Sequence, residues 1–358
     1  MLNLLRKRWW KYASVVLLLL ALVAGLYVPL SPGITSVSPD KATEGSALVL
    51  GIETYNTHFG TNSNPKVFLK HDSLSFCADS VNITSENTFT ASFNIPPADG
   101  INGSQLFSVI VDDPSTGTFF SRGAVTLLGN GEFSGEVHNC AEGLQAVVAP
   151  GFKYPYREIL YESIRNLFYH VPMWFAMLFL LMFSFGSSIA YLSSNKPIYD
   201  VFAKESAVVA MLFGALGIVT GMTWANFTWG APWVNDPKLN GAAVGMLTYF
   251  AYFVLRGSLN QKEQRARVAA VYGIFAFIIY IVFIFVLPRL NDSLHPGNGG
   301  NPAFSSYDLD NSLRPIFYSA ALGFIGIGYW IMSLRIRYTL LKEQVADQIE
   351  TPYESLVS

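Results

Sequence analysis

The sequence predicts an all-α polytopic membrane bundle of six transmembrane helices, with an extracytoplasmic β-sandwich inserted in its first outer loop. Three observations predict it: six long runs without a charge, a one-sided distribution of lysine and arginine, and a polar stretch of short strand-like segments. Of 358 residues, 51% are hydrophobic and only 13% charged, against about 25% charged in soluble domains. The net charge of −2 supplies no basic field, so nucleic acid is not an expected partner and membrane lipid is. The expected division is an anchor at 1–30, a β-sandwich at 31–155, a five-helix membrane domain at 156–340 and a cytoplasmic tail at 341–358.

The six runs are 12–30, 171–191, 206–227, 239–255, 268–287 and 315–334, and none contains Asp, Glu, Lys or Arg. About 20 apolar residues cross the hydrocarbon core, and one mid-span charge costs about 2.5–3.5 kcal/mol, so such runs are selected. The fourth is the shortest. Arg6, Lys7, Arg8 and Lys11 precede the first run. Lys196 and Lys204 fall in one short loop, Arg256, Lys262, Arg265 and Arg267 in another, and Arg335, Arg337 and Lys342 in the tail. If six spans alternate, all of these share one side, and only Lys238, Arg289 and Arg314 lie in the short loops opposite. The positive-inside rule then puts both termini in the cytoplasm, with Trp9 and Trp10 at the inner interface. A cleaved signal peptide would share the basic start and the apolar run. The length of the run and the lack of a small-x-small site after it favour an anchor.

Segment 31–155 is rich in Gly, Ser, Thr and Asn. Short β-prone runs at 47–52, 66–70, 74–77, 88–95, 106–111 and 118–128 alternate with turn residues at 97–100 and 113–115, a sandwich pattern. The opening Pro-Gly-Ile-Thr-Ser-Val-Ser-Pro at 32–39 and Glu-Gly-Ser at 44–46 resemble the start of an IPT/TIG immunoglobulin-like domain. Both cysteines, Cys77 and Cys140, fall here on the outer side, where a disulfide is favoured; two free thiols and a redox pair stay open. No Cys-x-x-Cys-His occurs, so the chain does not attach haem to itself covalently. Residues 156–170 carry one apolar stripe and read as an interfacial helix. The glycines at 214, 217, 221, 241, 245, 323 and 326 read as ordinary close helix packing. No P-loop is present, so no nucleotide is hydrolysed that way.

Of five histidines, His58, His71 and His138 read as solvated residues of the β-rich segment. His170 and His295 belong to the membrane part, at the outer ends of spans. They could ligate one haem iron from two sides, since imidazole is an axial ligand; two unrelated interfacial histidines would look the same. Between them runs Trp224-Ala-Asn-Phe-Thr-Trp229-Gly-Ala-Pro-Trp233-Val-Asn-Asp236-Pro-Lys238. Indoles offer flat apolar area to a porphyrin, and they also form the aromatic belt of any membrane protein. Asp236 followed by Pro237 reads as the N-cap and first residue of the next helix.

Trp-Gly-x-x-Trp-x-x-Asp at 229–236 resembles the tryptophan-rich WWD motif of the cytochrome c assembly family, the CcmC/CcsA type. His-Val-Pro-Met-Trp at 170–174 and Leu-His-Pro-Gly-Asn-Gly-Gly-Asn-Pro at 294–302 are similar to the family's two histidine motifs. The resemblance covers about 156–340 and the first span. It departs at Asn235, where an aromatic is usual, at Lys238, where Arg is frequent, and in the β-rich insertion. It implies non-covalent haem b held on the outer face of a bacterial inner membrane for cytochrome c maturation. The expected partners are a periplasmic haem chaperone and ABC-type transporter subunits. His170 and His295 would be axial ligands, with Trp224, Trp229, Trp233 and Asp236 as the platform. Arg165, Lys238, Arg289 and Arg314 are propionate candidates. The expected role is haem transfer, not catalysis. The alternatives are a cytochrome b-like electron-transfer subunit, which needs mid-span histidines that this chain lacks, and a small-molecule transporter, whose broken midplane helices are not evident.

Overall fold

The computed structural model describes residues 8–60, 63–72, 74–96, 102–130, 140, 144, 146–148, 150–295 and 309–357, with side chains of the last helix to 346 and at 348. The chain forms two compact units: Val28–Glu162, and Met1–Tyr27 together with Ser163–Ser358.

The first unit is built of two sheets. One is antiparallel in the order β1 (Gly33–Ser38), β3 (Ala47–Tyr55), β7 (Thr88–Asn94), β6 (Ser80–Ser85). The other runs β2 (Lys41–Thr43), β9 (Gly117–Asn130), β8 (Asn102–Asp113), β4 (Lys66–His71), β5 (Leu74–Cys77), with only β2 parallel to its neighbour. Inward residues alternate along β3 and β7, as the two-residue period demands. Leu50, Ile52, Phe89 and Phe93 of one sheet share a single buried core with Phe107, Val109, Val125 and Leu127 of the other. All six expected strands are present. Three more, β1, β2 and β6, are added: β6 is an edge strand with only Val81 and Ile83 apolar, and β2 has three residues, so neither offers more than a short signal. The expected turn at 113–115 is present. Asp113 Oδ2 accepts from the Thr116 N–H (3.0 Å), the Thr116 hydroxyl (3.0 Å), the Ser115 N–H (3.1 Å) and the Ser115 hydroxyl. The turn expected at 97–100 lies outside the described residues.

Cys77 and Cys140 are bonded, with Cα atoms 5.9 Å apart, which sets aside the free-thiol alternative. His58 is exposed beside Glu86. His71, half-buried, donates from Nδ1 to the Leu106 carbonyl (2.8 Å). His138 lies outside the described residues.

The second unit is helical: α1 (Trp9–Tyr27), a 3₁₀ segment (Tyr161–Phe168), α2 (His170–Ser194), α3 (Pro197–Trp229), α4 (Pro237–Gly257), α5 (Lys262–Ile281), a π turn (Val282–Val286), α6 (Leu287–Leu290) and α7 (Arg314–Val357). Five helical stretches among the described residues are long and apolar enough to cross a membrane: Trp9–Tyr27, Tyr161–Ser194, Pro197–Trp229, Lys262–Leu290 and Arg314–Ala346. The fourth expected span is α4, 21 residues long, whose Gly, Asn, Thr and Tyr content leaves it outside that set. The interfacial helix expected at 156–170 is shorter and of 3₁₀ form. Tyr161 sits at φ +45°, a left-handed conformation that an α-helix cannot run through.

The core of this unit joins α2, α3, α4, α5 and α7 around Met177, Leu181, Ala210, Phe213, Tyr249 and Met332. Gly326 of α7 faces Ser14 of α1 so closely that a Cβ would meet its hydroxyl. At the start of α3 and the end of α4, Arg256 grips Asp200 with two bonds of 2.6 and 2.5 Å. One turn on, buried Glu205 accepts from Arg335 (2.7 Å) and Thr339 (3.0 Å) of α7. Charges paired in this way do not carry the full cost of burial.

Candidate functional site

The site lies at the other end of α3 and α4, and the local sequence explains how it is shaped. Gly230 ends α3 at φ +76°, donating its N–H to the Asn226 carbonyl; a left-handed residue there suits glycine. Pro232 cannot continue the helix. Asp236 then caps α4, with Pro237 in the first turn, as the Asp-Pro pair predicts. The Trp-Gly-x-x-Trp-x-x-Asp run therefore encodes a helix stop, a tight connection and a helix start.

His170 is the first residue of α2. Its Nδ1 lies 2.9 Å from the Gly217 carbonyl and 3.2 Å from the Thr220 hydroxyl of α3. A carbonyl only accepts, so the proton is on Nδ1 and the ring lone pair is on Nε2. Gly217 and Gly221 make the approach possible. A Cβ on Gly221 would stand 2.6 Å from His170 Cε1, and one on Gly217 would stand 2.8 Å from the Trp174 ring.

His295 is held differently. Its Nδ1 donates to Asp236 Oδ1 (3.0 Å), which fixes the same tautomer. Asp236 is 1% exposed. Its Oδ1 also accepts from the Lys238 N–H (2.9 Å) and Leu239 N–H (3.4 Å), and its Oδ2 from the Ser293 hydroxyl (2.7 Å) and Leu294 N–H (2.8 Å). Burial alone would raise its pKa, but the hydrogen bonds from His295 and Ser293 prevail and hold the carboxyl well below the usual carboxylate range.

Both histidines line one cavity of about 310 Å³. Its walls are largely apolar, with Val171, Phe175 and Leu178 from α2, Ile218 from α3 and Ile284 and Phe285 from the π turn. Pro288 accounts for that turn. It has no N–H and crowds the carbonyl four residues back, and the ladder widens so that the Leu287 N–H reaches Val282. Pro288 and Arg289 continue the wall.

The residues named from sequence divide here. His170, His295, Trp233, Lys238 and Arg289 line the cavity. Trp229 and Trp224 are not among its lining residues. Their rings pack on His295, with centroids 5.0 and 6.0 Å away, and on each other at 4.9 Å. They stand behind His295, because both sit on the last turns of α3, where the chain has not yet crossed to α4. Asp236 touches His295 and not the cavity. Arg165 donates to the Gly25 carbonyl (2.8 Å) at the end of α1. Arg314 donates to the Leu309 carbonyl and to Asn311. Neither Arg165 nor Arg314 is among the residues that line the cavity. Trp174, Gly217 and Gly221 are site residues that the sequence did not single out as such. Trp174 stands one turn from His170, the spacing that would have flagged it.

A family model described as heme exporter protein C (CcmC) matches residues 146–351. A ccmC-like mitochondrial cytochrome c biosynthesis protein of Marchantia polymorpha is 30% identical over 112 residues, 31% of this chain and 46% of the relative. Heme exporter protein C of Bradyrhizobium diazoefficiens is 27% identical over 146 residues, 41% of this chain and 56% of the relative. The cytochrome c biogenesis protein CcsA of Prochlorococcus marinus is 35% identical over 86 residues, 24% and 27% of the two chains. The chain spans about half the length of the first two relatives. Most of the β-rich unit, which begins at Val28, lies before the matched residues.

Proposed function

The chain belongs to the CcmC, heme exporter protein C, family, and from that premise we propose that its membrane unit binds one haem and presents it for cytochrome c maturation. One observation carries the reading: two imidazoles from separate segments, each with its proton fixed on Nδ1, border a single apolar cavity that also contains two cationic residues. The donor set fits haem. Nε2 of each ring carries the lone pair that an iron would take. Trp174, Phe175 and Trp233 offer flat apolar surface, and Lys238 and Arg289 offer positive charge to propionates. Attachment is non-covalent haem b, because both cysteines of the chain are spent on the Cys77–Cys140 bridge.

The same reading gives the topology. α4 is the fourth of six spans, since 21 residues at 1.5 Å each reach about 30 Å, the core thickness. The one-sided lysines and arginines put the termini in the cytoplasm of a bacterial inner membrane. The cavity and the β-rich unit then face the periplasm. A periplasmic haem chaperone would take the cargo, and ABC-type transporter subunits would work alongside. The chain itself transfers haem and catalyses nothing.

Absorption spectroscopy of the purified full-length protein tests the reading. Wild type carries haem with a six-coordinate, low-spin spectrum. His170→Ala and His295→Ala each lose that spectrum and fail to support cytochrome c maturation. Wild-type spectra and maturation in both variants would remove the haem reading from these residues.

A further inference from the structure

The two histidines are equivalent in the sequence but not in the structure. His170 leans on a neutral backbone carbonyl and a hydroxyl. His295 leans on a buried carboxylate that also accepts from the two residues before it and from the first turn of α4. Asp236 thus takes five contacts: two cap the helix and three come from the consecutive residues Ser293, Leu294 and His295. A bond within that segment, from the His295 N–H to the Ser293 hydroxyl (3.2 Å), closes it on itself. His295 sits in a segment without regular structure, so nothing in its own backbone aims its ring.

We propose that Asp236 is the positioning residue of the site: it holds segment 293–295 on the start of α4, aims the His295 ring, and makes His295 the more strongly donating ligand of the pair. This rests on the haem reading above. The physical basis is general. A carboxylate behind a ligating imidazole fixes its tautomer and raises its basicity, and losing such a partner costs about 10–100-fold in metal affinity. Bonds to an ionised acceptor are roughly twice as strong as neutral ones. The first-turn N–H groups and the positive end of the α4 dipole hold the carboxylate from the other side. His170, set against a carbonyl, receives no such push and is the ligand that an incoming acceptor displaces first.

A capping role alone would explain the conservative geometry at Asp236, and the test separates the two. Asn caps a helix about as well as Asp, so Asp236→Asn keeps α4 but loses the charge and cannot accept on both sides. Full-length protein in detergent is loaded with haem, and loss is timed by transfer to excess apomyoglobin. Asp236→Asn is expected to release haem at least about tenfold faster and to lose the bis-imidazole low-spin spectrum, which added imidazole restores. Ser293→Ala leaves the cap untouched and is expected to shift both in the same direction, by less. In the haem-free protein, hydrogen exchange at the Leu294 amide should quicken in Asp236→Asn, while the α4 amides stay protected. Wild-type release and spectrum in both variants, or unchanged exchange at Leu294, overturns the proposal and leaves Asp236 a helix cap. A wild type that takes up no haem overturns the haem reading instead, and the exchange measurement still decides whether Asp236 holds the segment.

Discussion

Gly221→Ala is the sharpest steric test of the His170 side of the cavity. The added Cβ would stand 2.6 Å from Cε1, 3.2 Å from Nδ1 and 3.5 Å from Nε2 of the His170 ring. Ordinary contact begins at 3.4 Å, so the ring must retreat by about 0.8 Å, the difference between 2.6 and 3.4. The Nδ1 bond to Gly217, now 2.9 Å, then opens beyond useful length. Losing it costs about 0.5–1.5 kcal/mol, and overpacking adds about 1–3 kcal/mol. Alanine returns about 0.5–1 kcal/mol of helix propensity, so crowding wins by a modest margin and the fold survives. The effect on haem is larger, because a displaced imidazole no longer points where a metal would sit, and a loss of about 10–100-fold in retention is expected. Absorption spectra and haem retention through gel filtration measure it, with thermal unfolding as the check on folding. Gly186→Ala is the control: it lies in the same helix as His170 with nothing within 4 Å of its Cβ, and should keep wild-type haem. A Gly221→Ala protein with wild-type spectrum and retention would refute the placement of His170.

Two further outcomes concern the β-rich unit. Cys77→Ser should lower its stability by about 4 kcal/mol, since the bridge closes a separation of 63 residues; thermal unfolding with and without reductant reads this, and the haem spectrum of the folded protein should not change. Asp113 is buried in its turn; burial alone would raise its pKa, but the Ser115 and Thr116 hydroxyls and amides prevail and hold it below the usual value. A depressed carboxylate stabilises above its unfolded pKa of about 3.9 and loses that contribution as pH falls through the folded value. Asp113→Ala should therefore cost about 1–3 kcal/mol at pH 7 and flatten the acid side of the unit's stability profile below about pH 4. An equally steep acid limb in the variant would show that Asp113 is not responsible.

The helices and central strands were legible because each rests on a local signal. The long helices contain charge-free runs bounded by charge, and β3, β7, β8 and β9 alternate apolar and polar residues to fill one core. The α3–α4 connection was legible in finer detail, because Gly-Ala-Pro and Asp-Pro dictate a helix end and a helix start whatever surrounds them. What was not legible depends on partners far away in sequence. β6 is a short edge with only Val81 and Ile83 apolar, and its strand state comes from pairing with β7. The 3₁₀ form of 161–168 follows one positive φ at Tyr161 that no propensity for tyrosine announces.

The same distinction explains the site. A motif shows which residues occur together, not which faces of them meet. Trp224, Trp229 and Trp233 look alike in the sequence, yet a helix end falls between the second and third. The first two stay on the last turns of α3 and back His295, while Trp233 is carried across to the cavity. Gly217 and Gly221 look like the other packing glycines, and differ only in what lies opposite: Trp174 and His170 in place of Met177 and Met246, which face Gly214. Asp236 was readable as a cap from its neighbour Pro237 alone. Its second task needed residues 57 to 59 positions away, brought back by α4, α5 and the π turn. A carboxylate that serves as a cap and as the support of the His295 imidazole couples the start of α4 to the cavity. The last residue of the Trp-Gly-x-x-Trp-x-x-Asp run thus reaches the cavity through His295, while Trp233 reaches it directly.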